Sequence, residues 1–272
     1  MVELGIVEEN IALSQRGSGI PAWEDAPHKE WEARRMAVHA AMVDRMDQGL
    51  GDVFAALRET GRFENTLIFF LSDNGASDER IRGRNTRHGN FRRGGTTPDV
   101  MPGPPDTYAS FGREWANVSN TPFRKYKKWH HEGGVATPLI AHWPEGISDR
   151  GGLRHTPGHI IDFMPTVVEL AGVDYPKRFN NHDILPMEGQ SLVPVFKDDV
   201  REDRPIFFEH FGKAAVRKGD WKLVRGGRGD PWKLYKMSVD RTELNNLAAA
   251  HPERVDTLRA MWEEWADRAY VR

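Results

Sequence analysis

Residues Thr66-Leu67-Ile68-Phe69-Phe70-Leu71-Ser72-Asp73-Asn74-Gly75 constrain this chain more than any other stretch. The run Leu67 to Leu71 is uniformly large and apolar, leaves no polar face, and reads as a buried strand. It stops abruptly at a carboxylate, a carboxamide and a glycine. In open α/β sheets ligands sit just beyond the carboxyl ends of such strands, so Asp73 and Asn74 stand where chemistry is usually done. Both offer hard oxygen donors, which suit Ca²⁺ or Mg²⁺ better than zinc. Asp-Asn-Gly is equally good turn material, so a metal corner and an ordinary turn are both open at this point.

The surroundings of that strand fit an α/β class. Val38, Met42, Met46, Leu50, Val53, Phe54 and Leu57 recur at helical spacing between Lys29 and Thr60. They predict a long amphipathic helix closed by Gly61, feeding the strand as half of a βαβ-type unit. Pro138 to Pro144 reads as a second short core strand, and Ile160 to Ala171 as a helix stopped by Gly172. Residues 1 to about 28 read as loop with room for one short helix. Residues 76–122 show no periodic segment and carry Arg80, Arg82, Arg84, Arg87, Arg92 and Arg93. A loop of that length is expected to face solvent or substrate, and with only Phe91 among the arginines it makes a poor RNA surface. Beyond Arg204, short β-like pieces at Ala214–Arg217, Trp221–Val224 and Trp232–Tyr235 predict a small antiparallel sheet. Pro252 to Tyr270 predicts a closing helix with Val255, Leu258, Met261, Trp262 and Trp265 on one face. The expected organisation is a catalytic-type α/β domain over residues 1–199 and a small α+β subdomain over 200–272.

Composition removes several classes of function. A net charge of -2 gives no global pull toward nucleic acid or an anionic membrane. The absence of cysteine excludes disulfides, thiolate zinc sites and a cysteine nucleophile within these 272 residues. No apolar run approaches the length of a membrane span. The acidic start, Met1 to Glu9, lacks the order of a signal peptide, and Asn117-Val118-Ser119 reads as a chance glycosylation triplet. Nothing here assigns a compartment.

A second segment concentrates Arg124, Lys125, Lys127, Lys128, His130 and His131 just before Glu132-Gly133-Gly134. Cations at a sheet edge beside a metal make an anion site, although alone this run reads first as a solvated basic loop. His131-Glu132 is no zinc-protease motif, because Val135 stands where the second histidine is needed. Nucleophile-elbow and P-loop patterns are both missing from the sequence.

Taken in order, these pieces resemble the sulfatase family of the alkaline-phosphatase-like superfamily. The resemblance is carried by Asn65-Thr66 with the strand and Asp73-Asn74-Gly75, by Lys127 ahead of Glu132-Gly133-Gly134, and by Pro138 with Trp143-Pro144. Gly158 to Thr166, Gly189-Gln190-Ser191-Leu192 and Gly219 to Val224 continue it. The series looks closest to the bacterial arylsulfatase branch. It implies the C-terminal portion of an alkaline-phosphatase-like mixed or parallel sheet flanked by helices, followed by the small antiparallel sheet and closing helix. It also implies hydrolysis of a sulfate ester with one Ca²⁺ ion and a formylglycine made from Cys or Ser. By position, Asp73 and Asn74 would be two metal ligands. Lys127 would contact the sulfate, with Lys128 replacing it if the register shifts by one. Phosphatases of the superfamily usually carry Asp-His where Asp73-Asn74 stands, so Asn74 points to a harder ion. Aryl sulfates, sulfated sugars and choline sulfate all remain open as the small-molecule or carbohydrate substrate.

The chain departs from the family in one respect. No Ser is followed by x-Pro-x-Arg, so no nucleophile is present in this sequence. The acidic ligands, the nucleophile motif and the Lys-x-His pair of the family lie upstream of the matched region. The chain therefore reads as the C-terminal part of a sulfatase, with Met1 resembling an internal methionine and His28 a coincidental match. It is expected to be inactive alone, to bind Ca²⁺ weakly and to expose an unpaired strand edge. Two further readings stay open. One is a phosphatase or phosphodiesterase of the same superfamily, and the other a non-catalytic binder of sulfated ligands through Lys127, Lys128 and the Arg80–Arg93 loop.

Overall fold

The structure, a computed structural model, describes residues 1–80, 93–94, 97–105 and 107–271. Of the basic loop, Arg82, Arg84, Arg87 and Arg92 lie outside the described residues.

Helix α1, Lys29–Glu59, ends as the glycine demands. Thr60 caps it, and Gly61 follows with a left-handed φ of 66°. The apolar stripe of α1 is not packed as expected. Met42 (66% exposed), Met46 (47%) and Val53 (54%) face outward, and only Trp31 and Arg35 are buried. The strand that follows, β1 (Ile68–Leu71), has the composition of a buried strand but the exposure expected of this chain alone. None of its residues is buried, and Phe70 is 40% exposed. Two short parallel pieces come next, β2 (Arg93–Gly94) and β3 (Thr107–Tyr108). Helix α2, Gly112–Ser119, lies inside the segment expected to be loop. It is only eight residues long, too short for a periodic signal. Helix α3, Glu132–Val135, is a single turn, and β4, Leu139–His142, pairs antiparallel with β1 in the register Ile68↔His142 to Leu71↔Leu139. Among the described residues β1 pairs with β4 alone, antiparallel, so a parallel partner for the βαβ-type unit is not among them. One face of this two-stranded ribbon meets α4 through Phe69, which stacks on Phe163 at 4.8 Å; on the other face Phe70 and Ile140 are exposed.

A 3₁₀ turn at Ile160–Asp162 leads into α4, Phe163–Ala171, stopped by Gly172. Asp162 is fully buried and accepts hydrogen bonds from the backbone N–H of His159 and Gln190 (both 2.9 Å). It also pairs with Arg201 (2.8 Å) and Arg204, so one carboxylate gathers four donors from three segments. A small hairpin, β5 (Arg178–Phe179) and β6 (His182–Asp183), and helix α5 (Val193–Asp198) follow.

The C-terminal sheet forms as its alternation requires. Strands β7 (Ile206–His210), β8 (Lys213–Lys218), β9 (Trp221–Arg225) and β10 (Lys233–Lys236) run antiparallel in the order β10-β9-β8-β7. Ala214, Val216, Leu223 and Leu234 point to one face and pack on Leu258, Trp262 and Ala266 of α6 (Pro252–Arg268). Ala215, Val224 and Tyr235 point to the other, with Phe208 against them. That second face carries the segment around Glu132. Among the described residues no helix is long and apolar enough to cross a membrane.

Candidate functional site

The two segments singled out in the sequence meet. Gly75 N–H donates to Gly134 O at 3.0 Å, and Lys127 N–H donates to Ala76 O at 3.0 Å. Asn120 bridges them, accepting from Ala76 N–H (3.1 Å) and donating to Lys125 O (3.0 Å). Gly75 is required by close approach. A Cβ there would stand 1.9 Å from Gly133 O, far inside contact distance. The Asp73-Asn74 end of β1 and the lysines of 125–128 are therefore fixed beside one another.

These groups differ in commitment. Asp73 is exposed and Asn74 half-buried, and neither side chain has a hydrogen-bond or ion-pair partner among the described residues. Lys128 is ion-paired with Glu79, and that bond holds its ammonium pKa above the ordinary lysine value. Lys127, by contrast, forms no ion pair among the described residues, and acts on Glu79 only as a more distant charge than Lys128. Lys125 and Lys128 both adopt left-handed backbone (φ 69° and 74°), a conformation that costs free energy at a residue with a Cβ.

The histidines of this segment have a different role from the cations. His130 stacks on Phe208 (5.7 Å between ring centroids), and His131 lies edge-on to Trp129 (5.9 Å). Burial pushes the imidazole pKa down to about 4 for His130 and about 2 for His131, with the Lys222 ammonium adding to both. They are neutral packing groups at neutral pH, not solvent-facing acids or bases.

Beneath the site lies a buried ion cluster that sequence reasoning missed. Lys222 Nζ reaches Glu132 Oε1 (2.7 Å) and Glu243 Oε1 (3.0 Å), and all three side chains are buried. Glu243 Oε2 accepts from the Glu132 backbone N–H (2.8 Å), and Glu243 O accepts from Arg124 Nη1 (3.0 Å). Burial raises the Glu243 pKa to about 7. Burial also opposes ionisation of Glu132, but the adjoining Lys222 and Arg217 outweigh it and lower that pKa. One sequence signal was available for Lys222. It alternates with Trp221 and Leu223 in a strand, which puts it on the face of Val224. Glu243 lies in a loop with no local pattern.

A hard cation finds part of a site here. Asp73 and Asn74 are unpartnered oxygen donors of the right type, but Ca²⁺ takes six to eight oxygens. No group of three or more His, Cys, Asp or Glu side chains suited to a metal occurs among the described residues. The two residues fit as one flank of such a site and do not enclose it.

Fold and site together define an α/β protein with an anion-facing corner at a strand end. The family model for sulfatases matches residues 12–173, and the model for the C-terminal region of N-sulphoglucosamine sulphohydrolase matches residues 123–268. The chain belongs to the sulfatase family. It is 31% identical to an uncharacterized sulfatase of Schizosaccharomyces pombe over 289 residues, covering 96% of this chain and 49% of that one. The arylsulfatase of Klebsiella aerogenes is 33% identical over 187 residues, covering 65% of this chain and 40% of that one. Among solved structures, Ps i-CgsB superposes with a TM-score of 0.61 at 23% identity, covering 89% of this chain and 48% of that one. This likeness shows the alkaline-phosphatase-like fold. The chain spans about half the length, or less, of the relatives it matches.

Proposed function

We propose that this chain supplies one side of a sulfate-ester hydrolase site, with Lys127 as the sulfate-contacting residue and Asp73 and Asn74 as ligands to a Ca²⁺ ion. The observation that carries the reading is the clamp between the Asp73-Asn74-Gly75 corner and residues 125–134, which holds the segment of Lys127 against that corner, with Lys127 in no ion pair and Asp73 and Asn74 without side-chain partners among the described residues. A fixed ammonium next to the reacting sulfate stabilises charge as it develops on the leaving oxygen, without reorganisation at the moment of reaction. Lys128 is less suited, because Glu79 already neutralises it. Ca²⁺, when bound, polarises the sulfate oxygens as a Lewis acid. Asn74 favours that ion over metals that prefer nitrogen.

Membership of the family and the names of relatives such as the arylsulfatase of Klebsiella aerogenes support sulfate esters over phosphate esters. Aryl sulfates and sulfated sugars are the substrate classes the reading covers. The nucleophile, a formylglycine in this reading, belongs to sequence outside these 272 residues, and the chain is inactive alone. The exposed apolar positions Met42, Met46, Val53, Phe70 and Ile140 support a need for further chain to cover them. In the same reading, residues 1–199 and 200–272 are separate structural units, the second built on its own core.

The test is the coding sequence upstream of Met1 together with an assay of its product. An open frame carrying Cys/Ser-x-Pro-x-Arg, whose product hydrolyses 4-nitrophenyl sulfate faster than 4-nitrophenyl phosphate, is the expected result. A stop codon beside a ribosome site, or a preference for the phosphate, would overturn it.

A further inference from the structure

The face of the C-terminal sheet turned away from α6 carries more than the buried cluster. At one end of it, Lys213 begins β8 and Lys233 begins β10, both on the side of Ala215, Val224 and Tyr235. Trp129 packs over this end. Its ring lies close to Gly226, where an added Cβ would meet it at 3.2 Å. Lys125 Nζ sits 4.2 Å and Lys213 Nζ 5.2 Å from the Trp129 ring centroid. Lys233 is close enough to act electrostatically on Lys125. The carboxylate on this side, Asp230, also lies by Gly226, yet none of the three lysines forms an ion pair among the described residues.

Burial, then Arg124 and Lys233, push the Lys125 ammonium below its ordinary pKa, the direction expected where cations converge without a counter-ion. Lys125 is also held in left-handed backbone at φ 69°. Strain and uncompensated charge gathered at one point are features of a binding site more than of a packing element. The cluster is separate from Lys127, which joins the Asp73 corner through Ala76. It is nevertheless only two residues away on either side, at Lys125 and Trp129.

Resting on the sulfate-ester reading above, we infer that Lys125, Lys213 and Lys233 around Trp129 form a second anion subsite. It takes another sulfate of a multiply sulfated carbohydrate while the scissile one lies at Lys127. The C-terminal sheet then contributes to substrate choice, and not only to folding. Trp129 holds Lys125 and Lys213 by cation–π contact and reports on the site by its fluorescence.

The experiment is a binding titration of the full chain, read by calorimetry and tryptophan fluorescence, with no turnover required. The probes are a disaccharide carrying one sulfate, the same disaccharide carrying two, and inorganic polyphosphate. The disulfated probe is expected to bind at least tenfold tighter than the monosulfated one, and the difference should shrink at high salt. Lys213→Gln with Lys233→Gln, both rim positions, should remove that advantage and leave monosulfate binding within twofold. Equal binding of the disulfated probe by the parent and the double variant would overturn the subsite. So would a double variant that loses polyphosphate and both disaccharides by the same factor, since that is a general charge effect. Failure of the hydrolase reading shows separately, as absent turnover of aryl sulfate by the upstream-extended protein, whatever these titrations give.

Discussion

Replacing Lys222 by methionine probes the contact on which the site rests. The side chain is 1% exposed and stands between two buried carboxylates, at 2.7 Å from Glu132 and 3.0 Å from Glu243. Methionine keeps most of the volume and removes the charge. Two buried carboxylates then face each other with Arg241 (3.5 Å from Glu132) the cation left within ion-pair distance. Breaking a buried pair by deleting one partner costs about 3–5 kcal/mol, because the charge left behind is desolvated. For a chain of this size, each kcal/mol moves the melting temperature by about 2–4 °C, so a fall of roughly 6–20 °C is expected. Urea and thermal melts by circular dichroism measure it. The companion variant Lys222→Met with Glu132→Gln and Glu243→Gln should recover most of the loss, since no unpaired charge remains. A single Lys222→Met variant within about 1 kcal/mol of the parent would refute the reasoning, because a surface pair is worth no more than that. Failure of the triple variant to recover would locate the cost in packing instead of charge.

Three other outcomes are expected. Gly75→Ala sets a Cβ against Gly133 O and should cost about 1–3 kcal/mol, read as a lower urea midpoint; an unchanged midpoint would mean that the corner is not clamped. The His130 contribution to stability should fall as pH drops from 6.5 toward 4, because the unfolded chain protonates that imidazole there while the buried one, with a pKa of about 4, is not protonated. Glu243, raised to about 7, acts in the opposite direction and is common to parent and variant. The sign follows from a depressed folded pKa for a base, and the contribution of His130 is roughly 3 kcal/mol. His130→Gln should flatten that limb of a pH–stability curve, and an unchanged slope would contradict burial in the neutral form. In the upstream-extended protein, Lys127→Ala should lower kcat/KM on an aryl sulfate by roughly 10²–10³-fold, the loss typical of a charge-stabilising donor. Lys128→Ala should cost less than about tenfold, since Glu79 holds that lysine, and the reverse order would exchange their roles.

The legible parts of this chain are those where a local pattern fixes a local structure. Gly61 and Gly172 marked the helix ends, and the short β-like pieces at 214–217, 221–224 and 232–235 foretold an antiparallel sheet, which Ile206–His210 joins as a fourth strand and whose two faces now carry α6 and the Glu132 segment. The meeting of Asp73 and Lys127 was legible only through the resemblance of the ordered motifs, since residues so far apart in sequence leave no periodic trace. Burial was misjudged at α1 for a physical reason, whereas exposure at β1 is what was expected of this chain alone. Apolar content states what a segment would bury, not whether a partner covers it, and Met42 stays 66% exposed. Lys222, Glu132 and Glu243 stayed hidden because charged residues are normally assigned to the surface, and only three-dimensional pairing makes their burial tolerable.

The central claim is that the Asp73-Asn74 corner and Lys127 form one side of a Ca²⁺-dependent sulfate-ester site. Release of 4-nitrophenol from its sulfate, with added Ca²⁺ and after chelation, tests it most directly when the 272-residue chain and the upstream-extended protein are compared side by side. The expected result is turnover by the extended protein alone, abolished by chelation and by Asp73→Ala. Turnover by the chain alone at a comparable rate, or activity in the extended protein that survives both Asp73→Ala and chelation, would contradict it.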